Sequence, residues 1–120
     1  MKRSHFEDIV HEAMETLPEA FASRVDNVAV VVRDEPTDDD LIEAGMELGE
    51  ELFGLYVGVP LTDRAGYNMV LPDRILIFQG PHERHFHERE LVDEIRRTVV
   101  HEVAHHFGID DERLHELGYA

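Results

Sequence analysis

Residues 101–111 read His101-Glu102-Val103-Ala104-His105-His106-Phe107-Gly108-Ile109-Asp110-Asp111. Two histidines four apart share one face of a helix, a turn above one another. So placed, two imidazoles can share one tetrahedral metal ion, and the glutamate after the first can activate water beside it. Gly108 marks a helix end where the backbone turns left-handed, which lets a later side chain fold back towards the same ion. Asp111, three residues on, is the expected third ligand. Asp110 is the alternative if Asp111 instead caps the next helix, and His115 is a further one.

Working backwards, Leu91, Val92, Ile95, Val99, Val103 and Phe107 recur at helical spacing. The spacing predicts one long helix from about Glu88, with the His-Glu pair on its last turns. In a chain with 9 His and 27 acidic residues, the bare His-Glu-x-x-His pattern arises by chance roughly one time in ten. Requiring the glycine and the aspartate as well lowers that to roughly one in two thousand. His11-Glu12, His82-Glu83, His87-Glu88 and His115-Glu116 are internal controls, since none has a histidine four after its first member.

The remaining chain reads as mixed α and β. Ser4 to Glu7 has the form of a capping box, ahead of Phe6, Ile9, Val10, Ala13, Met14 and Leu17 at helical spacing. Pro18 ends that helix, and a short second one follows through Phe21. Val28 to Val32 reads as a buried strand. Thr37 or Asp38 is expected to cap a helix whose inner face carries Leu41, Ile42, Gly45, Leu48, Gly49, Leu52 and Phe53. The two glycines imply close packing against another backbone. Leu55 to Val59 reads as a short strand ending at Pro60, and 61–73 as a loop. Ile75 to Phe78 reads as a strand covered on both faces, stopped by Gly80-Pro81. His82 to His87 reads as a polar connection, either solvated or a second metal site. A final short helix carries Leu114 and Leu117.

Composition narrows the chemistry. At 120 residues the expectation is a single domain, 1–120, able to bury its own core. There is no cysteine, so any metal rests on His, Asp or Glu. A net charge of −16 repels nucleic acid and anionic membranes, so neither is an expected partner. The charge does not identify a substrate. The N-terminus lacks the long apolar stretch of a signal peptide, and no run is long enough to span a bilayer, so cytoplasmic residence is expected.

The metal reading implies a reaction. Zinc held by His101, His105 and Asp111 would leave an open position, and Glu102 would serve as the base in hydrolysis of a peptide bond. The expected partner is a peptide or unstructured protein segment, and Ile75 to Phe78, if at a sheet edge, could pair with it. Glu94 and Thr98 are candidates to support the ligand histidines from behind. His106 points about 100° away around the helix and is placed outside the ligand set, bordering the cleft. The rival is a zinc-binding regulatory or interaction module with little or no turnover.

The extended form His101-Glu102-x-x-His105-x-x-Gly108-x-x-Asp111 is similar to the metzincin motif, with aspartate in place of the third histidine. The chain more closely resembles the minimal zincin-like metallopeptidases, small bacterial single-domain proteins. Three stretches carry that likeness: Gly54 to Thr62, Leu71 to Phe78 and His101 to Leu114. The resemblance implies a compact α+β fold, with a small mixed sheet packed on the long motif helix and additional helices around it. It also implies zinc on His101, His105 and Asp111, with Glu102 as base. Unlike metzincins, the chain has no methionine after Asp111 and no residues left there to wall a cleft. Tyr56, Tyr67, Tyr119, His106 and His115 stand open as stabilisers of a developing oxyanion.

Overall fold

The computed structural model describes residues 1–58 and 72–119. The predicted end of the strand at Val59-Pro60 and all but the last two residues of the predicted loop lie outside that range. Among the described residues ten elements follow in order. They are α1 (Arg3–Glu15), α2 (Glu19–Ala22), β1 (Val28–Arg33), α3 (Asp38–Glu43), β2 (Gly54–Val57), β3 (Asp73–Phe78), α4 (Gln79–His85), a 3₁₀ turn (Glu88–Glu90), α5 (Leu91–His106) and α6 (Asp111–Glu116).

The sheet is mixed, in the order β1-β3-β2. β1 runs parallel to β3 and β2 antiparallel to it. β3 is therefore central, and its alternate side chains enter two cores. Ile75 and Ile77 join Phe6, Ile9, Val10 and Ala13 of α1 and Ile95, Val99 and Val103 of α5. Leu76 and Phe78 join Leu41, Leu52 and Leu55 on the opposite face. The expectation of a doubly covered strand holds. The expectation that it could lie at an edge does not: both its edges are taken, and β1 and β2 are the outer strands. β1 is accordingly half-buried rather than buried.

Three local readings are corrected. The Ser4 cap does not form, because α1 already begins at Arg3 with Lys2 at its cap and no side-chain cap bond. Arg3 is held instead by tertiary partners, the Gln79 side chain, the Val32 carbonyl (3.0 Å each) and Asp34. The second correction concerns α3. Thr37 and Asp40 do form a reciprocal capping box, yet the helix stops at Glu43. Gly45 and Gly49 have φ of 74° and 92°, and a Cβ on either would meet nothing within 4 Å. These glycines turn the chain; they do not admit a neighbour. Ile42 and Leu48 are exposed in consequence.

The third correction is at Gly80-Pro81. α4 begins directly after β3, and Pro81 lies in its first turn, where a missing N–H costs nothing. His82 is thereby fully buried. It is neither a solvated loop residue nor a ligand of a second metal.

Candidate metal centre

α5 supplies the motif. Its inner face, Leu91, Ile95, Val99, Val100, Val103 and Ala104, is buried, which turns His101, Glu102 and His105 towards the rim of β2. The approach is close at Gly54. A Cβ there would lie 2.6 Å from Thr98 Cγ2 and 3.1 Å from the Leu76 carbonyl oxygen, so only glycine lets the helix settle. One residue pair on, the Tyr56 backbone N–H donates to Glu102 Oε1 at 3.2 Å. The sheet thus fixes the glutamate of the motif.

Two open grooves of about 400 and 380 Å³ meet over these residues. Met46, Leu52 and Glu102 line both. His101 lies on the first, with Phe53, Gly54 and Thr98; His105 and His106 lie on the second, with Leu55 and Tyr56. Glu102 therefore stands mid-floor in one trough. Its far wall is the 44–53 segment, turned by Gly45 and Gly49. The wall thus comes from residues upstream of the motif, not from those that follow it.

The two histidines differ. His101 Nε2 is buried and has no hydrogen-bond partner. Burial pushes the His101 pKa below its ordinary value; Asp111 opposes this, while His105 and Arg97 add to it. The ring is neutral near pH 7, as a metal ligand must be. His105 is half-exposed, and its Nε2 lies 3.2 Å from Asp111 Oδ1. Burial raises the Glu102 pKa, against the pull of the Tyr56 N–H and of His105.

Gly108, at φ 77°, ends the helix as predicted. Asp110 is the cap of α6, accepting from the Arg113 N–H. Asp110 is therefore the aspartate committed to the backbone, which leaves the Asp111 carboxylate turned to His105. Thr98 and Glu94 do not back the ligand histidines as expected. Thr98 bonds His82, and Glu94 pairs with Arg97 at 3.6 Å. Among the oxyanion candidates, the Tyr56 hydroxyl donates to Asp73 at 2.7 Å, and Tyr119 packs edge-on against Phe21. His115 is exposed on α6, and Tyr67 lies outside the described residues. His106, stacked on the Tyr56 ring at 3.9 Å, borders the trough as the helix angle predicted.

The sequence profile described as zincin-like metallopeptidase matches residues 25–119. The chain belongs to that family. No curated protein matches it. Among solved structures, a conserved hypothetical protein from Thermo thermophilus is similar, at 21% identity and a TM-score of 0.56. The match covers 88% of this chain and 94% of the other, and at that identity it speaks for the fold alone.

The family implies zinc binding, and the donor chemistry of this zincin-like site fits. Two imidazoles and a carboxylate suit zinc, and the His101 Nε2 is an orphaned buried nitrogen at the right place. The fit is incomplete as the side chains stand. Among the described residues no group of three or more His, Asp or Glu is arranged to hold an ion. The His101 and His105 ring centroids are 6.4 Å apart. With zinc–nitrogen bonds near 2 Å, tetrahedral ligation sets them at roughly 5 Å. His105 is the exposed member of the pair, so its ring is the one with room to turn. No described helix is long and apolar enough to cross a membrane.

Proposed function

We propose that the chain is a zinc-dependent peptidase that cleaves extended or unstructured peptide segments. The observation that carries this reading is the buried, unpartnered Nε2 of His101 beside a desolvated Glu102 on the floor of an open trough. An unsatisfied polar atom in a dry site costs on the order of 1–3 kcal/mol, and a ligand that engages it relieves that cost. His101, His105 and Asp111 would hold the ion. When bound, zinc supplies Lewis acidity, which brings the pKa of water towards neutrality and polarises a carbonyl.

The chain's own residues do the rest. Glu102 Oε1 is committed to the Tyr56 N–H, so Oε2 is assigned the proton of the attacking water. Its raised pKa suits that task, since a base poised nearer neutral pH both accepts a proton and returns it to the departing amine. His106, held flat on Tyr56 and lining the second groove, is assigned as the donor to the substrate carbonyl. An extended peptide is assigned to the trough between α5 and the 44–53 segment, with its side chains in the two grooves. The net charge of −16 excludes nucleic acid from the expected partners, and the expected site of action is the cytoplasm.

The test is cleavage of a broad peptide library by protein carrying one zinc per chain, with Glu102→Gln as control. The expected result is a loss of about 10²- to 10⁴-fold in rate with zinc retained. Wild type and variant behaving alike would leave a zinc-binding module without turnover.

A further inference from the structure

Among the described residues His82 is the one histidine sealed from solvent, and no motif around it points to a use. Its Nδ1 lies 2.8 Å from the Phe78 carbonyl oxygen and its Nε2 lies 3.0 Å from Thr98 Oγ1. A carbonyl only accepts, so Nδ1 carries the proton. Burial among Phe6, Phe53 and Phe86 lowers the pKa, with the Phe78 carbonyl opposing. The ring is neutral, Nε2 is an acceptor, and the Thr98 hydroxyl donates to it.

Thr98 Oγ1 also lies 3.0 Å from the Glu94 carbonyl oxygen one turn back, and its single proton is shared between that carbonyl and His82 Nε2. These two partners fix its χ1, and the rotamer so chosen turns the Cγ2 methyl onto Gly54. A Gly54 Cβ would stand 2.6 Å from that methyl. The same Cβ would lie 3.6 Å from Glu102 Cγ. A run of close neighbours therefore leads from the end of β3 through His82 and Thr98 to Gly54 and Glu102.

We propose that His82 is a positioning residue for Glu102: through Thr98 it sets the gap between α5 and β2 across which the Tyr56 N–H grips the carboxylate. The assignment of Glu102 as base rests on the peptidase reading, but the gap and the grip do not. Neither residue touches a substrate in the trough through its own polar atoms, since those of His82 and Thr98 are turned inward to each other and to backbone carbonyls.

The test uses amide hydrogen exchange by NMR on the intact chain, with peptide kinetics beside it. Thr98→Val keeps the shape and removes the hydroxyl; His82→Phe keeps a ring in a pocket already lined by phenyl groups; Thr98→Ser keeps the hydroxyl and serves as the rescue. In Thr98→Val and His82→Phe, Tyr56 amide protection is expected to fall on the order of tenfold, the size of one lost hydrogen bond. Val99 and Val103 amides keep theirs. Thr98→Ser retains most of the Tyr56 protection. In the kinetics, kcat falls more than KM changes, because Thr98 lines the trough with its polar atom turned inward and valine keeps its shape. Should His82→Phe fail to fold, the Thr98→Val and Thr98→Ser pair decides the matter. Tyr56 protection unchanged in Thr98→Val, or falling in step with Val99 and Val103, overturns the proposal. If Glu102→Gln and wild type cleave nothing while Tyr56 responds as stated, the peptidase reading fails and the positioning role stands.

Discussion

The site has two halves built to different standards. On the inner half, His101 is part-buried with an orphaned nitrogen, and Glu102 is gripped by β2. Behind them stand the Val99 and Val103 core and the sealed His82. On the outer half, the His105 and Asp111 side chains are 53% and 74% exposed and pair with each other. The inner half is positioned by folding; its geometry is a by-product of closing the core against the sheet. The outer half sits on the last turn of α5 and the first of α6, where local opening costs least. On the proposed function, the contrast separates a floor that would orient the reacting groups from a clasp that an ion would complete. On the proposed ligand set, metal binding would contribute ordering free energy almost wholly on the outer side.

The largest expected effect tests that division directly. His101→Ala removes the nitrogen that has no other partner and should abolish zinc binding in elemental analysis and chelator competition. Asp111→Asn should weaken binding but leave it measurable, because the exposed carboxylate is the most replaceable of the three. In hydrogen exchange on the wild type, zinc should protect 108–116 strongly and the Val99 to Val103 amides little. At a free zinc concentration of 100 times Kd the whole fold gains about 2.7 kcal/mol. Equal protection of both halves, or Asp111→Asn matching His101→Ala, would erase the distinction.

The same division explains what can be read from residues alone. The motif helix, its glycine stop and the facing of His101 and His105 follow from 3.6-residue periodicity, which is local and strong. Ile75 to Phe78 is legible as a doubly buried strand because its apolar run is just as local. What is not legible depends on contacts distant in sequence. Gly45 and Gly49 fit a helical stripe as well as they fit left-handed turns, and only the docking of Leu52 onto Leu55 and Phe78 decides between them. His82 looks like any histidine beside a proline until β3 carries it under α5. The choice of Asp110 as cap over Asp111 rests on which carboxylate finds the Arg113 N–H, and two adjacent aspartates cannot announce that. The trough wall is hidden for a related reason: residues 44–53 read as more helix, and only their turning at the two glycines brings them over Glu102.

A smaller effect probes the joint between helix and sheet. Gly54→Ala places a methyl 2.6 Å from Thr98 Cγ2 and 3.1 Å from the Leu76 carbonyl oxygen. The backbone of β3 cannot yield, so α5 must. The expected loss is about 1–3 kcal/mol, the usual range for an overpacked core, read as a lower urea midpoint. The more telling readout is which half suffers. The Tyr56–Glu102 bond should weaken and kcat drop, while zinc affinity through the exposed clasp holds better than activity. A variant that loses zinc and activity in proportion would show the two halves to be one unit.

The smallest effect concerns acid. Burial holds the His82 pKa below its ordinary value of 6.5, whereas the unfolded chain restores that value. Above pH 6.5 both states are neutral and the residue contributes no pH dependence. As pH falls through 6.5, the unfolded state takes up a proton that the folded state refuses, so stability is lost until the folded pKa is reached. The slope is at most about 1.4 kcal/mol per pH unit. His101 carries the same sign in the metal-free protein, and the net charge of −16 works the other way, because protonation relieves self-repulsion. A comparison of variants isolates the term. Between about pH 7.5 and 5.5, a window that brackets the ordinary histidine pKa, the urea midpoint of wild type should fall more than that of His82→Asn, which keeps a polar side chain but cannot titrate. Parallel profiles for the two proteins would mean that His82 takes up its proton inside the fold as readily as outside it. The inner half would then be wetter than its packing implies, and the contrast with the exposed clasp would lose its physical basis.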